Sequence, residues 1–124
     1  MATIPDAGLI AITTALARAA YWYEELGTSS TAEATNQTAL VTPITTEGME
    51  RTVATTEYEA TAKTALTATF GPATAALTTI RETAVLDAAA DGNMLVRHVW
   101  ASNKSVAIGD SLVVPWKITA ARPA

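Results

Sequence analysis

"RETAVLDAAADGNMLVRHVW", Arg81 to Trp100, sets a turn signal between two β-rich runs. Asp91-Gly92 suits a turn with positive φ, and it lies between a run ending in Val85-Leu86 and one beginning with Met94-Leu95. The stretch reads as a β-hairpin, and its connection, Asp87 to Asn93, is longer than a minimal turn.

Downstream, "IGD" makes a second turn and "SLVVPWKI" ends the β region. There Leu112, Val114, Trp116 and Ile118 alternate with Ser111, Val113, Pro115 and Lys117, the period of a strand with one buried face. Pro115 cannot donate to a ladder, which places this strand at an edge or at a bulge. An open edge invites another chain, which leaves oligomerisation open; if the N-terminal helix or this strand, with Trp116 nearby, supplies an assembly contact, substituting Pro115 or truncating after Gly109 is expected to abolish assembly.

Upstream, "ERTVATTEYEATA" and "TALTATF" are Thr-rich runs suited to a pleated surface, and Gly71-Pro72 marks a break. "YWYEELGTSS" reads as a strand running into a loop. In "STAEATNQTAL", Ser30 and Glu33 have capping-box spacing, which predicts a short helical turn near 31–40 that Pro43 ends. Closer to the start, Leu9, Ile12 and Leu16, with Tyr23 continuing the spacing, follow helical periodicity after an N-terminal cap at Asp6. The expected fold is mainly β with a short N-terminal helix (α+β): helix 1–20, then a small antiparallel β-sandwich or barrel-like domain over 21–118.

A length of 124 residues fits one domain with a real core. Hydrophobic residues make up 49% and charged ones 16%, so much of the surface is Thr, Ser and Ala, which suits a protein packed against neighbours. A formal charge of −4 with scattered basic residues argues against nucleic acid. With no cysteine there is no disulfide, thiolate nucleophile or Cys-based zinc site. "AGLIAITTALARAA" is too short and Thr-rich to span a bilayer, and Asp6 stands where a signal peptide carries positive charge.

Chemistry-bearing constellations are sparse. His98, the single histidine, shares strand parity with Met94, Val96 and Trp100 and reads as structural. Asp87, Asp91 and Asn93 could offer oxygen ligands, but the remaining EF-hand positions are missing and turn chemistry explains them. Glu24 and Glu25, adjacent on a strand, face opposite sides, Glu57 and Glu59 share a face with no base or nucleophile nearby, and a solvated sheet face is the reading for these carboxylates. "GTSST" lacks the Lys of a phosphate loop, and "IGDS" lacks the pattern of a nucleophile elbow. The acceptor patterns at Asn36 and Asn103 matter only in a eukaryotic secretory route. Trp22, Trp100 and Trp116 read as core anchors; exposed on one face, they would instead suit a carbohydrate-binding module. No catalytic, cofactor or metal residue is assigned.

Taken in order, "AGLIAITTAL", "LGTSSTAEATNQTAL", "TIRETAVLDAAADGNMLVRHVW" and "GDSLVVPWKI" resemble small tailed-bacteriophage virion proteins of the tail-collar fibre-like and capsid decoration (cement) kind. The likeness in the hairpin is carried by Glu82, Val85-Leu86, Asp87, Ala88 to Ala90, Gly92, Met94-Leu95 and Arg97. Thr83-Ala84 depart from it, where similar proteins carry a bulkier residue and then Gly. This resemblance implies a non-enzymatic virion protein made in the bacterial cytoplasm. A capsid decoration protein clamping the major capsid protein is the first reading, and a neck, collar or fibre-base adaptor the second. Self-association as a trimer or dimer is expected by analogy. The expected assembly contacts are Leu9, Ile12 and Leu16 on the helix and Leu112, Val114, Trp116 and Ile118 on the last strand.

Overall fold

The computed structural model describes residues 22–60 and 62–119. These residues form strands and connections only. The strands are β1 (Tyr23–Gly27), β2 (Thr52–Val53), β3 (Thr55–Ala60), β4 (Lys63–Phe70), β5 (Leu77–Leu86), β6 (Met94–Val106) and β7 (Leu112–Thr119). Every pairing is antiparallel, in a four-stranded sheet ordered β2-β1-β5-β6 and a three-stranded sheet ordered β3-β4-β7.

The α+β expectation is therefore corrected to all-β for the described residues; the helix placed at 1–20 lies outside them. Residues 31–40 form no helix, only a turn at Thr35–Asn36 closed by the Gln37 amide on the Ala34 carbonyl (3.2 Å). The would-be capping groups are engaged elsewhere. Ser29, not Ser30, accepts from a nearby amide, that of Thr31, and the Glu33 carboxylate accepts from the Val99 amide at 2.8 Å on β6. Local capping spacing thus loses to a long-range bond that holds the segment against the sheet.

The two sheets meet through one core. Leu26, Ile80 and Val85 from the first pack with Leu66, Ala68, Phe70 and Val114 from the second, joined by Met49 and Ile44 from the connection between β1 and β2. Leu26, Leu66, Phe70 and Ile80 are wholly buried, each contributing about 1.5–3 kcal/mol of hydrophobic stabilisation. Strand β5 is buried on both faces from Glu82 to Leu86. Its second face carries Ala84 and Leu86, which form a smaller cluster with Leu40 and Met94 under the 28–42 segment.

The opening hairpin is β5–β6. Asp87 builds its connection by accepting from the Asn93 backbone amide (2.7 Å) and side-chain amide (3.0 Å), while Asp91 and Gly92 take positive φ of 53° and 76°. Those Asn93 bonds hold the Asp87 carboxyl below the usual aspartate range. Arg51 fastens the same loop to β1, donating to the Ala88 and Asp91 carbonyls and gripping both oxygens of Glu25.

One parity expectation fails. The register passes from Val85↔Val96 to Leu86↔Met94, a bulge that leaves Leu95 exposed. Met94 therefore joins the smaller cluster, on the face opposite Val96 and Trp100.

Candidate assembly surface

Strand β7 is an edge, paired with β4 on one side only. Thr67 lies opposite both Thr55 and Pro115, and its carbonyl is turned to β3, where it accepts from the Thr55 hydroxyl at 3.2 Å. In an antiparallel ladder the N–H and C=O of a residue point to one side, so the Thr67–Pro115 pair needs no ladder bond. Pro115 thus turns its missing N–H to the open edge and interrupts what another strand could pair with.

The inward faces of the two sheets border a groove at the β6 and β7 flank. Thr83, His98, Trp100, Val114, Pro115 and Trp116 line a hollow of about 330 Å³. An adjoining hollow of about 300 Å³, lined by Leu95, Val96, Trp116, Lys117 and Ile118, is mostly apolar. The His98 ring stands edge-on to Trp100 (6.2 Å, 88°) and to Trp116 (6.3 Å, 87°), a favoured aromatic geometry that spans the two sheets. Its Nδ1 lies 3.4 Å from Glu33, and Lys104 sits 5.9 Å above the Trp100 ring. His98 serves here as a packing and bridging residue.

Of the expected contacts, Leu9, Ile12 and Leu16 lie outside the described residues. Val114 is buried, and Leu112, Trp116 and Ile118 are partly buried against the core, so all four turn inward, with Trp116 and Ile118 reaching the groove. Truncation after Gly109 would strip the three-stranded sheet of β7 and so test folding before assembly. Apolar side chains open at or beside this flank are Leu95, 45% exposed, and Val113, 54% exposed. Beyond Val113, the outward face of the second sheet carries Thr55, Thr67, Thr69 and Thr119 with charged Glu57, Lys63 and Lys117, and Lys117 pairs with Glu59 across it.

Three polar features escaped the sequence reading. Arg97 and Glu82 form a buried pair, Nε–Oε2 3.0 Å and Nη2–Oε2 2.7 Å. Arg97 also donates to the Thr31 carbonyl and the Gln37 side chain, while Glu82 accepts from the Val41 and Thr42 amides. These bonds tie the 28–42 segment to the first sheet. Glu25 is buried and paired with Arg51, not solvated. Glu24, on the opposite face of β1, lies wholly inside the sandwich with neither carboxyl oxygen hydrogen-bonded. Burial pushes its carboxyl up to about 8, with the nearby Ala68 backbone pulling the other way but less. Gly27 permits the close approach of β1 to the Glu82 carboxylate and the Thr42 carbonyl, where a Cβ would clash.

No curated protein matches the chain. The family model described as podophage GP4 fiber I protein gp80 matches residues 8–120. That span includes the hairpin, the groove and the Arg97–Glu82 anchor, and the chain belongs to the podophage GP4 fiber I protein family, a family of phage virion structural proteins.

Proposed function

We propose that this protein is a non-enzymatic component of the fibre apparatus of a podophage virion, acting as a small adaptor at the neck or fibre base. The observation that carries this reading is the family match over residues 8–120. The architecture suits the role: a two-sheet body carries a mostly apolar groove on one flank, where β6 and β7 meet. Contact with a neighbouring virion protein buries Leu95, Val113 and the exposed parts of Trp116 and Ile118, and Pro115 disfavours indiscriminate strand addition. Symmetry around the neck multiplies a modest contact into a stable ring.

A second reading, capsid decoration, draws on the outward face of the three-stranded sheet. Thr67, Thr69 and Pro115, beside the Lys117–Glu59 pair, give it a polar surface that suits a shell junction. Gold-labelled antibody on intact particles separates the two. Label confined to the neck or tail supports the adaptor reading, whereas label distributed over the head supports decoration. Leu95→Glu and Val113→Glu place charges on exposed positions and should block incorporation while the purified variants stay folded. Normal incorporation of both would rule out this flank.

A further inference from the structure

We infer that the sandwich carries a proton-operated latch at Glu24: the closed sheets accommodate its neutral carboxyl, and ionisation of that carboxyl loosens them. Glu24 sits on the inward face of β1 between Trp22 and Leu26, opposite Val85 on β5 and Thr52 on β2. It is wholly buried and both its oxygens lack partners. Across the core it meets the Ala68 backbone of β4. Thr83 lies diagonally from it on β5, about 7–8 Å away by sheet geometry, and its hydroxyl is likewise without a partner.

The charged groups nearby face elsewhere. Glu25 and Arg51 pair on the opposite face of β1 and β2, and Glu82 and Arg97 pair on the opposite face of β5 and β6. By strand parity Lys63, Glu57, Glu59 and Lys117 point outward from the second sheet. Among the described residues the titratable groups on inward faces are Tyr58, opposite Thr64 at the β3 edge, His98, which lies beyond Thr83 on β6 and close to Glu33, and Lys104, opposite Ile80 on β6 with its ammonium over the Trp100 ring. None of them is a register neighbour of Glu24. Among the described residues an ionised Glu24 therefore has no countercharge beside it, and its solvation requires the sheets to part or β1 to shift.

The linkage has a definite sign. Because the folded-state value is raised, from 4.5 to about 8, stability is fullest below 4.5 and is lost as pH rises toward 8. One proton linked to unfolding changes the unfolding constant by up to tenfold per pH unit within that window.

Urea unfolding of the full chain at pH 5, 6, 7, 8 and 9 tests the latch. Wild type should show an unfolding constant rising by up to tenfold per unit and levelling above about pH 8. Glu24→Gln should remove most of that rise, and His98→Gln should retain it, which separates Glu24 from the imidazole. An unchanged slope in Glu24→Gln overturns the proposal. Should that variant fail to fold, infrared spectroscopy of the wild type decides: a carboxylic-acid carbonyl band present at pH 7 and lost near pH 8 supports the latch, and its absence at pH 7 overturns it.

Discussion

The Arg97–Glu82 pair offers the sharpest mechanical test of how the 28–42 segment is held. Arg97→Met keeps an apolar stem but removes the guanidinium, leaving the wholly buried Glu82 carboxylate with only the Val41 (3.3 Å) and Thr42 (2.8 Å) amides. It also releases the Thr31 carbonyl and Gln37 side chain. Removing one partner of a buried pair costs about 3–5 kcal/mol. At about 3–4 °C per kcal/mol for a chain of this size, the melting temperature should fall by about 10–20 °C. Glu82→Gln should cost less, since its one amide oxygen, placed at Oε2, still accepts from Arg97 and the Val41 amide, and the Thr42 bond is lost. In the double variant no buried charge is stranded, so its loss should be smaller than the sum of the singles by at least about 1 kcal/mol. Urea unfolding of the four proteins gives the cycle, and limited proteolysis should show new cleavage within 28–42 in Arg97→Met. Additivity within about 0.5 kcal/mol, with unchanged cleavage, would refute the anchoring argument.

Three further outcomes are expected. Gly27→Ala places a Cβ against the Glu82 carboxylate and 2.6 Å from the Thr42 carbonyl, so urea unfolding should show a loss of about 1–3 kcal/mol; a neutral substitution would contradict the close approach. Pro115→Thr restores an N–H on the open edge of β7 and should increase concentration-dependent self-association in sedimentation velocity, whereas unchanged sedimentation would remove the blocking role. The Asn93 amide resonance should titrate with Asp87 at a midpoint below 3.8, the hairpin loop loosening only as pH falls through it; a midpoint at or above 3.8 would contradict the two bonds from Asn93.

Strand content was legible where side chains obeyed simple periods. Leu112, Val114, Trp116 and Ile118 alternate as a half-buried edge strand should, and Asp91-Gly92 marks the hairpin turn. Legibility failed where a local pattern competed with a distant partner. Ser30 and Glu33 have helical capping spacing, but Glu33 bonds to Val99, far along the chain. Met94 has the parity of Val96, but the bulge at Leu95 moves it to the other face. Glu24 and Glu25 were expected on a solvated face, yet β1 lies between β2 and β5 and is covered on both sides. Nothing in "YWYEELG" shows that, because burial of a central strand depends on what the rest of the chain lays over it. The buried Arg97 likewise depends on a segment some sixty residues earlier, at Gln37 and Thr31.

The most direct test of the virion account is the copy number of this protein per purified particle, measured by quantitative mass spectrometry against the major shell protein. An adaptor at the neck or fibre base predicts a small number of copies matching one ring or set of fibres. A number comparable to the shell protein would contradict that placement in favour of decoration, and complete absence from purified particles would contradict the virion role itself.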